Sequence, residues 1–316
     1  MSSSASYIRC IYCDKLIDKC GPLTDEHVIP YALGGNITLP SSSCRSCATI
    51  TSRFETAILR GPFRAFKERI GLPSRSKNRP KSLPIFCVNG DEKKRMQIPL
   101  EHYPVTIQLP HILGPTIANY PENYGQHRMP WLFAEEGKLE SLGDIYSVEQ
   151  FALNEIPLSA FGRMLAKIAH CVAVNKYGPA GFVPFLRGVI LGTSGEGYYR
   201  YVGSIDDPAT VEGGATSHTF QLYLEQRDNI RFLVCQIRLF ANLGAPSYRV
   251  VVGQLLSDFN PLQNIGFVPP NEFYLADPRL RLMISTNGFA DGGGETLVAN
   301  SKGILKATIP QFASSC

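Results

Sequence analysis

The chain has 316 residues, of which 44% are hydrophobic and 18% charged, and its formal net charge is +4. This length predicts two domains rather than one small core, since domains usually span about 100–200 residues. It contains no run of about 18 apolar residues and no basic leader followed by an apolar stretch, so we expect neither a membrane-spanning helix nor secretion, and predict a cytoplasmic protein.

Two Cys-x-x-Cys pairs lie near the start of the chain, after residues 1–6, which we expect to be disordered. The pairs are Cys10 with Cys13 and Cys44 with Cys47. Each pair can present two thiolates to one tetrahedral ion, and Zn²⁺ suits four sulfur ligands. A disulfide framework is typical of short secreted chains instead. We therefore predict a structural zinc site; two unrelated thiol pairs, or Cys20 in place of one ligand, are the alternatives.

The residues between the two pairs predict a hairpin. TDEHVIPYALGGN, residues 24–36, places a Glu-His pair before a proline and two glycines that suit a tight loop. Such a hairpin would bring His27 and Asn36 near each other. Residues 44–59 then favour a helix, because their apolar side chains recur at helical spacing. The predicted module is strand, loop, strand and helix, and a unit this small needs the metal for its folding free energy.

The order of these motifs resembles that of the HNH endonuclease family. Cys-x2-Cys, Glu-His-Val-Ile-Pro, Gly-Gly-Asn and Cys-x2-Cys follow one another over about residues 8–60. They are similar to the branch of the family with two CxxC pairs, which has a ββα-metal fold. The resemblance implies a metal-dependent endonuclease that hydrolyses phosphodiester bonds. It also implies a nucleic-acid partner, with DNA the expected one; no membrane partner is expected, and no oligomeric state is indicated.

The resemblance also implies roles for individual residues. His27 matches the general base that deprotonates the attacking water. Glu26 matches a ligand of the catalytic ion, and its carboxylate suits Mg²⁺ or Mn²⁺. Asn36 matches the position that orients the histidine. The two metals would have separate tasks, a structural one for zinc and a catalytic one for Mg²⁺ or Mn²⁺.

One position departs from the family pattern. Where the family often has a second metal ligand, His or Asn, directly after the last CxxC, this chain has Ala48. Glu55, two helical turns later on the same face, could supply the missing oxygen, and Thr51 is a weaker candidate. Alternatively, Glu55 is a surface residue paired with Arg53 or Arg60. If no ligand replaces Ala48, the chain is a zinc-dependent nucleic-acid-binding protein without turnover, which is the alternative function.

Positive charge is concentrated in the first quarter of the chain. Through Lys81 there are 13 Lys and Arg against 6 Asp and Glu, a formal charge of +7, so the remainder carries −3. This asymmetry favours polyanion binding, although basic segments also serve solubility. Residues 71–84 indicate a linker, because proline and charge oppose burial. The candidate phosphate-binding residues are Arg45, Arg53, Arg75, Lys77, Arg79 and Lys81.

The later elements are predicted from apolar patterns and turn residues. In chain order they are a hairpin over 85–100 with an Asn-Gly-Asp turn, a strand over 104–110, a helix over 157–177, a shorter helix over 182–191, and a three-stranded meander over 218–226, 230–240 and 247–254. We found no catalytic motif among them. They indicate a larger domain whose role is open and for which we infer target recognition or regulation.

The predicted fold class is therefore α+β. A small zinc-bound ββα-metal module is followed by a larger α+β domain with a central helix and an antiparallel meander. The predicted division is an HNH module over 7–62, a helix end and basic linker over 63–84, and an α+β domain over 85–316. The Pro- and Gly-rich residues 256–316 have no strong period.

Some polar and sulfur-containing residues are predicted to lie in the core rather than in a site. His170 falls on the apolar helix and is expected to pack there. Cys87, Cys171 and Cys235 have apolar neighbours and are expected to be buried, inert thiols.

Overall fold

The computed structural model describes most of the first 255 residues and several later strands. The described ranges are 8–69, 71–76, 78–89, 92–118, 127–135, 138–148, 150–152, 156–205, 218–227, 230–241, 245–255, 263–267, 280–284, 295–300 and 303–308. The α-helices in these ranges are α1 (Ile17–Cys20), α2 (Arg45–Arg60), α3 (Arg64–Arg69), α4 (Lys138–Tyr146), α5 (Leu158–Tyr177) and α6 (Arg187–Leu191).

The strands in the same ranges form four antiparallel sheets. They are β1 (Leu23–His27), β2 (Thr38–Cys44), β3 (Ser82–Asn89), β4 (Glu92–Pro99), β5 (Thr106–Ile112), β6 (His127–Glu135), β7 (Gln150–Ala152), β8 (Phe182–Pro184), β9 (Val202–Ser204), β10 (His218–Arg227), β11 (Ile230–Leu239), β12 (Ser247–Leu255), β13 (Gln263–Phe267), β14 (Leu280–Ile284), β15 (Glu295–Asn300) and β16 (Gly303–Thr308). The mixture of helices and antiparallel sheets confirms the predicted α+β class.

The N-terminal module has the predicted order of strand, loop, strand and helix. β1 pairs with β2 in antiparallel register, and His27 lies opposite Thr38 at the loop end of the hairpin. Two glycines shape the loop between the strands. Gly34 has a φ of 87°, in the left-handed region, and a Cβ on Gly35 would overlap the carbonyl oxygen of Ile29. The loop therefore depends on the glycine pair seen in the sequence.

This module belongs to a compact unit that also contains the long helix and the largest sheet. The unit comprises the described residues within 1–58, 112–125 and 157–275. Its sheet has the strand order β13-β10-β11-β12-β8, and β9 also pairs with β12. The predicted meander is confirmed as β10, β11 and β12. Helix α5 packs against β11 and β12, which places it between the sheet and the N-terminal module.

Helix α5 is the most deeply buried helix described. It begins after Pro157 and ends at Gly178, whose φ of 74° suits a glycine and whose N–H donates to the carbonyl of Val174. The predicted helix over 157–177 is thus confirmed. Two of its polar side chains are buried among apolar neighbours, Lys167 at 0% and His170 at 1% exposure. The core position predicted for His170 is also confirmed.

The second compact unit contains two smaller sheets. It comprises the described residues within 59–111, 126–156 and 276–316. One sheet has the order β16-β15-β7-β3-β4 and the other β14-β6-β5. The β3–β4 hairpin and β5 confirm the strands predicted at 85–100 and 104–110, while Gly90 and Asp91 of the predicted turn lie outside the described residues. The predicted burial of Cys87 is confirmed at 3% exposure, and Cys171 and Cys235 are likewise buried.

One prediction on the later elements was wrong in part. The helix predicted over 182–191 covers only 187–191, because Phe182–Pro184 pairs with β12 as a strand. Residues 256–316, in which the sequence shows no strong period, contribute strands β13 to β16. Strands β13, β14 and β15 pair with strands from earlier in the chain, and β16 forms a hairpin with β15. Residues 1–6, predicted to be disordered, lie outside the described ranges. The division at 7–62, 63–84 and 85–316 remains a prediction.

Among the described residues, none of the helices combines the length and apolarity needed to cross a membrane.

Candidate zinc centre and nuclease site

The four predicted zinc ligands converge at the base of the N-terminal module. One potential ligand atom from each of Cys10, Cys13, Cys44 and Cys47 lies within 4.8 Å of all the others. The Sγ atoms of Cys13 and Cys44 are 3.9 Å apart, far beyond a disulfide bond of about 2.05 Å. Zinc–sulfur bonds of about 2.3 Å place tetrahedral ligands about 3.8 Å apart. The four residues therefore fit a tetrahedral zinc ion, which would tie the start of α2 to the first turn.

The electrostatics of the cluster also favour a bound cation. The pKa of Cys10 is lowered to about 4, chiefly because the Cys47 thiol donates a hydrogen bond to its sulfur. Burial opposes this shift, and the backbone N–H groups of Cys13, Cys44 and Tyr12 support it. The same contact with Cys10 raises the pKa of Cys47. A thiolate is thus stabilised at the cluster, and thiolates are the form that binds zinc.

The first zinc-binding turn is fixed from outside by α5 and α6. The carbonyl oxygen of Ile11 accepts hydrogen bonds from Nε2 of His170 at 2.9 Å and from Nε of Arg187 at 3.0 Å. The buried Tyr12 hydroxyl lies 3.2 Å from the Cys171 sulfur. Burial lowers the pKa of His170 to about 4, so its ring is neutral at pH 7. His170 is therefore a packing residue that orients the metal-binding turn.

The hairpin brings the two predicted catalytic residues to one end of the module. His27 ends β1 and is half-buried, with its ring centroid 5.6 Å from that of Tyr31. Asn36 is exposed and lies just before β2, one residue before Ile37, whose carbonyl accepts from the N–H of Val28. Their roles as base and orienting group remain predictions.

Glu26 and Glu55, the two predicted ligands of the catalytic ion, also come together. They do so around an ammonium group that the sequence did not lead us to consider. Nζ of Lys167 lies 2.9 Å from Oε1 of Glu26 and 3.0 Å from Oε1 of Glu55. The same nitrogen donates to the carbonyl oxygen of His27 and lies 3.5 Å from that of Val28. The partner found for Glu55 is therefore a lysine from α5, which the sequence did not indicate.

This arrangement is buried and does not fit a divalent ion at the two carboxylate oxygens. Glu26 is 7% exposed, and its strand neighbour His27 is expected on the other face of β1, because successive strand side chains alternate. Burial lowers the pKa of Lys167, but Glu55 and Glu26 act in the opposite sense and leave it above its ordinary value. The lysine is thus a charged group in the place where Mg²⁺ or Mn²⁺ was expected.

The position of the missing family ligand provides no substitute oxygen. Ala48 lies on the first turns of α2, and the buried Thr51 hydroxyl donates to its carbonyl at 3.1 Å. Thr51 thus forms a hydrogen bond within its own helix. The chain thus lacks the family's metal ligand at Ala48, and Lys167 occupies the two carboxylates, Glu26 and Glu55, that the catalytic ion would need.

The predicted phosphate-binding residues are mostly exposed. Arg45 and Arg53 lie on the exposed surface of α2, and Arg75 and Lys81 are exposed in the second unit. Arg79 is exposed as well, and its Nη2 donates to the carbonyls of Gly71 and Leu72, at 3.2 and 2.7 Å. Lys77 lies outside the described residues. Contact of these six residues with nucleic acid remains a prediction.

The four-thiol cluster, the antiparallel hairpin and the following helix define a ββα-metal module of the HNH type. Residues 10–60 match the family model of the HNH endonuclease, which confirms the resemblance over this stretch. No match was found among curated proteins or among solved structures.

Two residues that hold the module in place were missed by sequence reasoning. Lys167 has a visible signal, since it interrupts an apolar helix, but a lysine there is ordinarily expected to extend toward solvent. His218 gives no local signal. Its Nε2 donates to the carbonyl of Leu33 at 3.0 Å, and its Nδ1 accepts from the N–H of Phe240 at 3.3 Å. It fixes the loop that separates His27 from Asn36.

The burial of His218 leads us to expect a loss of stability in mild acid. Burial lowers its pKa from 6.5 to about 4, so the unfolded chain binds a proton between these pH values that the folded chain does not. Stability is therefore expected to fall as the pH drops from 6.5, by about 2 kcal/mol at pH 5, and to be unaffected by this group above pH 6.5. Urea unfolding of wild type and His218→Gln across pH 4–7 measures it.

The variant is expected to have a flatter pH profile than wild type, since glutamine does not titrate in this range. His102→Gln, at a partly exposed histidine of the second unit, controls for the loss of a histidine. Parallel profiles for wild type and His218→Gln would contradict the assignment.

Proposed function

We propose that this protein is an endonuclease that hydrolyses phosphodiester bonds in DNA, with His27 as its general base. The observation that carries the proposal is the match of residues 10–60 to the HNH endonuclease family. Within that stretch, the four-thiol cluster and the hairpin that carries His27 provide the scaffold. Zinc, when bound, would serve this scaffold structurally.

The proposed chemistry rests on the position of His27. An imidazole at the loop end of the hairpin can accept a proton from water near neutral pH. Lys167 donates to the main-chain carbonyl of His27, and this contact fixes the end of β1. Asn36, on the other side of the loop, would orient the ring. Arg45 and Arg53, exposed on α2, would contact phosphate groups.

A second candidate function is zinc-dependent nucleic-acid binding without turnover. The observation that favours it is the ammonium of Lys167 between Glu26 and Glu55, together with Ala48 at the expected ligand position. A protein of this kind would use the basic surface of the module and would leave the phosphodiester bond intact.

Replacing His27 with alanine is expected to lower the cleavage rate by about 10²- to 10⁴-fold, the usual contribution of a general base. DNA binding is expected to persist, because the fold of the hairpin depends on the zinc cluster and the glycine loop and not on the His27 side chain. The measurement is nicking of supercoiled plasmid by the full chain, loaded with zinc, in Mg²⁺, Mn²⁺ or EDTA. Binding is measured in parallel by fluorescence anisotropy.

His102→Ala is the matched control, because this histidine lies in the second unit and outside the matched family region. Its cleavage rate is expected to equal that of wild type. Cleavage that is unchanged in His27→Ala would exclude His27 as the base. Binding without cleavage by wild type, on DNA and RNA alike, would support the second candidate function.

A further inference from the structure

The ammonium of Lys167 is surrounded by oxygen atoms from two elements of the N-terminal module. Its nitrogen lies 2.9 Å from Glu26 Oε1 on β1 and 3.0 Å from Glu55 Oε1 on α2. Main-chain carbonyls complete the group, since the nitrogen donates to His27 O and lies 3.5 Å from Val28 O. Carboxylate and carbonyl oxygens are also the donors that Mg²⁺ and Mn²⁺ prefer.

A divalent ion and this ammonium exclude each other at the two carboxylates. A metal such as Mg²⁺ needs its oxygen ligands at about 2.0–2.1 Å, whereas an ammonium sits about 2.7–3.1 Å from its acceptors. The observed distances are those of the ammonium. An ion placed between the same two oxygens would lie within about 3 Å of the lysine nitrogen, where two positive charges repel strongly.

The lysine has no ready alternative position. Its side chain is 0% exposed, and its neighbours on α5, Ala166 and Ile168, are buried as well. Helix α5 is also held to the module by His170 at the carbonyl of Ile11. Moving the ammonium away would bury an unpaired charge or displace the helix. The carboxylates therefore face a cation that is covalently part of the chain.

We propose that Lys167 is the resident cation of the Glu26–Glu55 pair, and that these carboxylates do not recruit Mg²⁺ or Mn²⁺. The side chain takes the position that the family resemblance assigns to a metal ion, and it also fixes the main chain at His27 and Val28. This inference goes beyond the proposed function and applies whether or not the protein cleaves nucleic acid.

Binding of Mn²⁺ to the full, zinc-loaded chain tests the proposal without an activity readout. Free Mn²⁺ is measured by electron paramagnetic resonance for wild type, Glu26→Gln and Lys167→Ala. Wild type and Glu26→Gln are expected to bind Mn²⁺ equally, because neither uses this site. Lys167→Ala is expected to gain a single additional Mn²⁺ site, and the further change Glu26→Gln is expected to remove it.

A Mn²⁺ ion bound by wild type and lost in Glu26→Gln would overturn the proposal. So would a folded, zinc-loaded Lys167→Ala chain that gains no Mn²⁺ site. If Lys167→Ala fails to fold, the comparison of wild type with the conservative variant Glu26→Gln still decides the question. The result is distinguishable from a failure of the nuclease proposal, which depends on plasmid cleavage and His27.

Discussion

Replacing Cys44 with serine is expected to release the zinc ion and unfold the N-terminal module. Binding of a structural zinc contributes about 10–16 kcal/mol in small zinc-finger peptides, and this hairpin with one helix is of comparable size. Cys44 ends β2 and directly precedes α2, so its loss separates the strand, the helix and the first turn at once. Metal analysis and thermal unfolding of the purified chain measure both effects.

Cys20→Ser is the matched control for this substitution. Cys20 lies close to the cluster in sequence, but its thiol donates to the carbonyls of Lys15 and Gly21 and it does not belong to the four-thiol group. It is expected to retain zinc. Retention of a full equivalent of zinc by Cys44→Ser, or its release by Cys20→Ser, would show that the ligand set is different.

Lys167→Met is expected to lower the free energy of unfolding by about 3–5 kcal/mol. Methionine keeps most of the volume of the lysine, so packing changes little. The substitution leaves Glu26 and Glu55 partly or fully buried without the ammonium between them, and breaking a buried ion pair from one side carries a cost of this size. Urea unfolding near neutral pH measures the loss.

Two further variants separate the charge effect from packing. Adding Glu26→Gln and Glu55→Gln to Lys167→Met is expected to recover much of the lost stability, because no uncompensated charge then remains. Lys176→Met, in the last turn of the same helix, is expected to change stability by less than about 1 kcal/mol. Equal effects at positions 167 and 176 would contradict the importance of the buried pair.

The N-terminal module was predictable because its signals are local. Both CxxC pairs, the Glu-His pair and the two glycines act within about 40 residues of one another, and each residue type has a definite geometric use. The periodic helix α5 and the alternating strands of the meander were predictable for the same reason, since their patterns lie within single elements.

The strands and contacts that were not predicted depend on partners distant in sequence. β15 pairs with β7, and β13 with β10, so their stability comes from neighbours rather than from their own pattern. Lys167 makes its contacts 140 residues away, at His27. A helix pattern indicates which face is buried, but it does not identify the carboxylates that the face will meet. The occupant of the Glu26–Glu55 pair was therefore not evident from the sequence.

The carbonyl oxygens of the N-terminal module receive their donors from much later in the chain. The carbonyls of His27, Ile11 and Leu33 accept hydrogen bonds from Lys167, His170 and His218. These donors stand 140, 159 and 185 positions later in the sequence than Lys167's acceptor His27, His170's acceptor Ile11 and His218's acceptor Leu33. At a synthesis rate of about 5–20 residues per second, these donors leave the ribosome roughly 7–40 s after the acceptors. During that interval the nascent module has only the metal and its own local contacts to hold it, so zinc supply during translation is expected to affect how much chain reaches the folded state.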